Sequence, residues 1–470
     1  MTAARGTLAV VCITTAMLML DIAVVNTALF AIADDLDTGL TGIQWVVDAY
    51  TLALASAVLG AGSFADRLGR RRVFLGGLVL FTAASAACAA APDIVVLDTA
   101  RAVQGVGAAV LFAVSLALLA HAFPDPGGRA RALAAYGATI GASFALGPLA
   151  GGMLTEWAHW RWIFLVNVPV GLACLAGTRR WVAESRDPRP RSADWPGQLL
   201  LAAAMSALVF GLLRAPGHGW SNGVTAAAFV VAGVCGAAFL VRERRAREPM
   251  LPLGMLANRA FAAAQAATFA ISASLFAVFL YTTLYLQTVV GLSPLRAGLV
   301  YLPGTIAMFV VAGATSSLGP RLRPRFAVAG SLVLISLGLV LTVRADADDS
   351  WTSLVPGTVI AFVGAGVFNP VMSGIVLGET RAEHFGLAAG INDAFRQTGI
   401  AVGVAALGAF LPAAGPFGTD PAAYVEGLHH ALLAAAVIAA AGAAAALLLP
   451  NRPTAASPLP APPERQRTGV

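Results

Sequence analysis

LAVVCITTAMLMLDIAVVNTALF, residues Leu8 to Phe30, is an apolar run of about 23 residues broken by a single charge, Asp21. A helix of about 20 apolar residues crosses a bilayer, so the run predicts a membrane span. An acid inside hydrocarbon costs several kcal/mol unless it faces a partner or a wet cavity, which makes Asp21 a functional candidate by default.

Composition extends that reading to the whole chain. Of 470 residues, 58% are hydrophobic and only 11% charged, with a mean hydropathy of +0.78. This predicts an all-α polytopic membrane protein. The 4 cysteines (Cys12, Cys88, Cys174, Cys235) each stand alone in an apolar segment, so neither disulfides nor a metal site is expected. The N-terminus MTAARGTLAV has no cleavage signature and reads as the start of a retained helix.

Apolar runs of spanning length fall near 7–31, 43–64, 73–91, 94–122, 131–155, 162–180, 196–213, 224–241, 261–290, 297–318, 326–343, 353–377, 387–411 and 427–449, which predicts fourteen spans. Arginines alternate with them. Arg67, Arg70, Arg71 and Arg72 share one loop, Arg129 and Arg131 the next on that side, followed by clusters at 179–191, 242–259 and 321–325 and by Arg381. The opposite loops carry Asp34, Asp35, Asp37, Asp93, Asp346, Asp348, Asp349 and Asp420. By the positive-inside rule the arginine face is cytosolic, and so are both termini. The net charge of +6 is therefore a topology signal and does not indicate a nucleic-acid partner.

Setting aside the seventh and eighth spans leaves two groups of six whose loops match in character. GSFADRLGRRRVFLGGLVL (Gly62 to Leu80) recurs weakly as GATSSLGPRLRPRFAVAGSLVL (Gly313 to Leu334). The expected organisation is an N-terminal six-helix bundle (1–181), a linker with two extra helices (182–260), a C-terminal six-helix bundle (261–449) and a Pro-rich disordered cytosolic tail (450–470).

Four motifs carry the chemistry. GSFADRLGRRR, Gly62 to Arg72, sits on the arginine face; Gly62 and Gly69 permit tight packing and an unusual turn, Asp66 accepts from helix N-terminal amides, and Arg67, Arg70 and Arg71 hold the loop at an anionic surface. RAVQGVGAA, Arg101 to Ala109, has no preceding strand, which excludes a nucleotide loop. Counting about 1.5 Å per residue, Arg101 lies about 10 Å below the far end of its helix, Asp48 about 8 Å and Asp21 about 20 Å above the near end; in a core about 30 Å thick the three share one layer. Asp98, three residues before Arg101, is the competing partner. GASFALGPLAGG, with Gly141, Gly147, Pro148, Gly151 and Gly152, offers small-residue stripes for close helix approach and a proline kink. LYLQTVVGLSPLRAGLVYLP, Leu284 to Pro303, joins the ninth and tenth apolar runs.

These stretches resemble the signature loop, fourth-helix arginine motif and fifth-helix antiporter motif of the major facilitator superfamily. Leu284 to Pro303 and LDIAVVNTALF (Leu20 to Phe30) resemble its fourteen-helix drug:proton antiporters, the EmrB/QacA type. The chain departs from that pattern at Ser143, Ile22–Ala23 and Phe30. The resemblance spans residue 8 to about 450. It implies the major facilitator fold with fourteen spans, a substrate cavity between the halves, and a loop (Gly62, Asp66, Arg67, Gly69, Arg70, Arg71) that latches the outward-open state, with Asp66 meeting the helix N-terminus near Gly386. It also implies the exporting direction of an antiporter.

The expected function is proton-coupled efflux of lipophilic or cationic drugs across the bacterial inner membrane by a monomer, with Asp21 and Asp48 as proton sites tuned by Arg101. No cofactor is expected beyond the proton. Gln104, Tyr50, Tyr136, Phe144, Phe276, Tyr285, Phe368, Asn392, Asp393 and Arg396 are candidates for the substrate cavity, with Asp393 and Arg396 spaced to pair with each other. The alternatives are an exporter of the same fold dedicated to one metabolite and a membrane-embedded enzyme; no HExxH, catalytic set or Walker loop supports an enzyme or ATP drive.

Overall fold

A backbone in hydrocarbon must satisfy its own N–H and C=O groups, and the apolar runs accordingly become helices. The computed structural model describes residues 2–186, 194–246, 248–318, 322–344, 351–378, 385–412, 415–417 and 420–449. The tail from Pro450, Arg381 and Asp346 to Asp349 lie outside the described residues.

The first group comprises α1 (Ala3–Asp35), α2 (Leu40–Leu68), α3 (Arg70–Ala89), α4 (Ile94–Ala122), α5 (Pro126–Trp157), and the broken pair α6 (Trp162–Leu165) and α7 (Asn167–Trp181). Two helices follow, α8 (Trp195–His218) and α9 (Gly223–Arg245), then the short α10 (Leu253–Ala257). The last group holds α11 (Arg259–Ile271), continued through a π-helical turn (Ser272–Phe276) into α12 (Ala277–Thr288), then α13 (Pro294–Val300), α14 (Leu302–Leu318), α15 (Pro324–Thr342), α16 (Leu354–Gly378), α17 (Phe385–Gly408) and α18 (Pro421–Ala446).

Among the described residues 12 helices are long and apolar enough to cross a membrane, and the pair α13 and α14, bent by 41°, brings this to up to 13. Fourteen were expected from the sequence. The remaining stretch, α17, is helical over 24 residues but falls short in apolarity because Asn392, Asp393, Arg396 and Gln397 occupy its middle.

Polar residues of the far-side loops start helices, two of them, Asp93 and Asp420, expected only as charge signals. Asp93 accepts from Val96 N–H at 2.9 Å, Asn222 from Val224 N–H at 3.0 Å and Asp420 from Ala422 N–H at 3.2 Å. Each satisfies an amide that the first helical turn leaves without an intrahelical partner, worth about 1 kcal/mol.

The two groups face each other along α1, α2 and α5 on one side and α12, α13, α14 and α17 on the other. Helix α8 lies over the seam of α2 and α17, where Leu52 and Ala55 pack with Met205, Val209, Ala401 and Ala405. Hydrogen bonds that cross between the groups gather at the end opposite Ala3. Gln44 donates to Tyr281 Oη at 2.9 Å, Gln287 to the Thr27 carbonyl at 2.9 Å, and Leu295 N–H to Glu156 at 3.0 Å. Phe30 stacks on Phe417 at 6.0 Å near the same end. Gly152 and Gly298 let the groups touch there: a Cβ on Gly152 would lie 2.6 Å from the Pro294 carbonyl oxygen, and one on Gly298 would collide with that of Pro148.

The other end of the seam differs from expectation. Gly137 and Gly141, read as a contact stripe, have nothing among the described residues within 4 Å of where a Cβ would sit, because the packed face of this half of α5 is the one that carries Ala132 and Tyr136. Gly147 and Gly151 do pack, against Ala23 and against Val24 and Thr27 of α1.

Candidate functional site

Asp21 is buried on α1 and accepts from three side chains among the described residues. Arg101 Nη1 donates to Oδ2 at 2.6 Å, while Gln104 Nε2 and Asn167 Nδ2 donate to Oδ1 at 2.9 and 2.8 Å. Arg101 and Gln104 stand three apart on α4 and so share a face. Asn167 is placed by the break between α6 and α7. Ser85, on α3, completes the cluster: it accepts from Gln104 at 3.2 Å and Asn167 at 3.1 Å, and donates to the Phe164 carbonyl at 2.9 Å. Arg101 is only 2% exposed. Its Nε donates to the Val46 carbonyl at 3.0 Å, Nη1 also reaches Gln104 Oε1 at 2.7 Å, and its guanidinium lies 4.2 Å above the Tyr50 ring.

A charge pair in this position is costly to desolvate, and what compensates is the completeness of its hydrogen bonding. Asp21 accepts at both of its oxygens in this arrangement. Adding a proton to it cancels the charge attraction that holds Arg101.

Asp48 is not a partner of Arg101 among the described residues. It is fully buried, yet among the described residues both carboxyl oxygens lack a hydrogen-bond partner and Arg101 does not reach it. The reason is helical phase. Tyr50, two residues on, faces Arg101, and two residues turn a helix by about 200°, so Asp48 points away. Asp98 does not take Arg101 either; its Oδ1 is buried without a partner.

A small cavity of about 30 Å³ lies between the groups beside this cluster. Tyr50, Phe144, Phe276 and Phe279 line it together with Asn26, Thr51 and Arg101. Phe144 of α5 and Phe276 of the π-turn meet edge to face across the seam, with centroids 4.9 Å apart. Of the other expected lining residues, Gln104 belongs to the Asp21 cluster, Tyr136 is buried on α5 outside the lining, and Tyr285 and Phe368 are buried in the core. Asn392 donates to Gln265 at 3.1 Å and Thr268 at 2.9 Å, and Arg396 sits 3.8 Å from Asp393. Sequence reasoning missed Ser85 and Asn167. The available signal was Asn167 itself, an isolated amide in the apolar WRWIFLVNVP.

The loop from Gly62 to Arg72 is tied to the end of α7. Gly69, at φ 111°, makes the turn that only glycine adopts freely. Glu184 accepts from Arg71 N–H at 3.1 Å and caps α3, and Arg71 reaches the Arg179 carbonyl at 2.6 Å. Asp66 pairs with Arg70 at 2.8 Å and caps no helix among the described residues. Gly62 has open space around it.

Long apolar helices in two facing groups, with a buried ion pair and a cavity between them, define a multi-pass membrane transporter. The chain matches the model of the Major Facilitator Superfamily over residues 11–404 and belongs to that family. It is similar to the puromycin resistance protein pur8 of Streptomyces alboniger, 36% identical over 423 residues that cover 88% of this chain and 84% of that one. It is likewise 36% identical to the multidrug resistance protein Stp of Mycobacterium tuberculosis, over 84% of this chain and 74% of that one. The methylenomycin A resistance protein of Streptomyces coelicolor is 34% identical, over 84% and 83%. The fold matches that of the human organic anion transporter MFSD10 (TETRAN), with a TM-score of 0.63 at 15% identity, covering 94% of this chain and 99% of that one.

Proposed function

We propose that this protein is a proton-coupled exporter of lipophilic compounds, drugs and antibiotics among them, in a bacterial inner membrane. The observation that carries the reading is the buried Asp21–Arg101 pair bordering the cavity between the two groups. Relatives named as antibiotic and multidrug resistance proteins support the drug-export part of it.

The arginine-rich face is the cytosolic one, and α17 is a fourteenth span whose Asp393 and Arg396 neutralise each other. The organisation is then a bundle at 1–181, a linker at 182–260, a bundle at 261–449 and a cytosolic tail at 450–470. With the crossing hydrogen bonds gathered at the far end, the conformation described is the one open to the cytosol.

Substrate enters the cavity from that side while Asp21 is ionised and paired. After the groups rock, a proton from outside loads Asp21 and frees Arg101. Magnitudes allow this: breaking a buried ion pair costs about 3–5 kcal/mol, and one proton falling through about 150 mV supplies roughly 3.5 kcal/mol. Asp48, whose two buried oxygens have no partner, is a second proton site. Asp66 exchanges Arg70 for the N-terminus of α17 when the cytosolic end closes, which latches the outward-open state. The protein works as a monomer, with the proton as coupling ion and no other cofactor.

The test is drug-induced collapse of ΔpH in inverted vesicles. Wild-type protein discharges the gradient when substrate is added, and Asp21→Asn at equal abundance does not. Undiminished discharge in Asp21→Asn removes Asp21 from the coupling, and a wild-type protein that leaves ΔpH untouched with every exported compound removes antiport.

A further inference from the structure

A second pair of buried acids lies away from the Asp21 cluster, where the hairpin of α8 and α9 closes on the arginine-rich face. Asp194 precedes the first residue of α8 and Glu243 sits in the last turn of α9; they are 8% and 3% exposed. Asp194 Oδ1 accepts from Gly197 N–H and from Arg242 Nε, each at 3.1 Å. Glu243 Oε2 accepts from Leu251 N–H at 3.0 Å, in the segment that leads to α10. The other two oxygens, Asp194 Oδ2 and Glu243 Oε1, are buried with no hydrogen-bond partner among the described residues.

These two oxygens are aimed at one point. Each lies 2.9 Å from where a Cβ on Gly197 would sit, so the glycine leaves the room that both occupy. Two buried carboxylates at such range disfavour a second negative charge, and a buried acceptor left without a donor is costly. Among the described residues Arg242 is the one cation in contact with the pair, and the segment at Leu251 offers it only a backbone amide. One cation against two acids leaves a single negative charge in excess. A single proton removes that excess and supplies the missing donor.

The geometry points to Asp194 and Glu243 as a proton-holding site of the linker, separate from Asp21, in which one proton sits on Glu243 Oε1 and is donated to Asp194 Oδ2. Glu243 takes the proton because Asp194 already has a guanidinium and an amide on its other oxygen, both of which favour its charge, whereas Glu243 has one neutral amide. The proton closes a joint. It fastens α8 to α9 through the two acids, and Leu251 fastens α9 to the chain entering the last group of helices. Gln198, one turn beyond Asp194 on α8, donates to the Ser56 carbonyl of α2, so the same joint reaches the first group.

Infrared spectroscopy of the purified full-length protein in nanodiscs at neutral pH, with glutamate isotopically labelled at the carboxyl carbon, tests this. Glu243 is the one buried glutamate among the described residues, so the label separates its signal from those of the membrane aspartates. The wild type is expected to show a protonated-acid C=O band that carries the isotope shift, and Glu243→Gln to lose it. A wild-type spectrum without that band overturns the inference, as does a band that survives Glu243→Gln. The wild-type spectrum decides even where a variant folds poorly. Thermal unfolding gives a second reading: glutamine, a neutral donor of nearly the same shape, is expected to keep the wild-type unfolding temperature, while Glu243→Ala lowers it by several degrees. A loss in Glu243→Gln as large as that in Glu243→Ala overturns the inference as well, because it shows that the charge of Glu243, and not a proton on it, holds the joint.

Discussion

At the scale of single residues, Asp21 on α1 and Arg101 on α4 are held by each other and by Val46 on α2, Gln104 on α4 and Asn167 on α7, with Ser85 on α3 bracing Gln104 and Asn167. Removing one partner of such a pair strands a buried charge, whereas removing both leaves a smaller deficit. Asp21→Asn is therefore expected to destabilise the protein by about 3–5 kcal/mol, and Asp21→Asn with Arg101→Met to recover most of that loss while remaining unable to discharge ΔpH. Thermal unfolding in detergent beside the vesicle assay checks both halves. Asp21 and Arg101 were legible in the sequence because a charge in an apolar run is conspicuous. Ser85 and Asn167 were not, because a small polar residue in a membrane helix is common and its meaning depends on what stands opposite.

Among the elements, α5 shows how the same residue type takes different roles along one helix. Gly137 and Gly141 face open space, Gly147 and Gly151 admit α1, and Gly152 admits the backbone of α13. The spacing of the small residues is visible in the sequence, but which of them are in contact depends on how the two groups are tilted. At Gly298 of α13 a Cβ would meet the Pro148 backbone, which cannot yield as a flexible side chain can. Gly298→Ala is expected to disfavour closure of the far end by about 1–3 kcal/mol, the usual cost of overpacking. In a variant with the four cysteines replaced and Thr51→Cys at the cavity, an impermeant thiol reagent added from the far side should then label several-fold faster than in the same protein with Gly298 intact. Unchanged labelling would show that the α5–α13 contact does not govern closure.

Across the whole molecule, the far end is clasped where Tyr281 accepts from Gln44 at 2.9 Å, its hydroxyl being held by the Val404 carbonyl of its own group. Tyr281→Phe removes the crossing bond; at about 1 kcal/mol net, the far-open population should rise by roughly fivefold, read by the same labelling of Thr51→Cys. Topology is checked by single cysteines in intact cells. Trp220→Cys, between α8 and α9, and Asp420→Cys should react with the impermeant reagent from outside, and Arg5→Cys should not; protection of Trp220→Cys would mean that α8 and α9 do not cross. The membrane-spanning runs, their alternation of arginine and aspartate loops, and the motifs of the family were determined by the sequence alone, because partition into hydrocarbon and the arginine bias of one face act on each segment locally. Tertiary structure decided that Arg101 takes Asp21 and leaves Asp48 and Asp98 without it, that Gln104 serves the ion pair and not the cavity, and that the far end is the closed one. These depend on helix phase and on contacts between residues far apart in the chain, such as Asp21 with Asn167 and Gln44 with Tyr281, which no local pattern encodes.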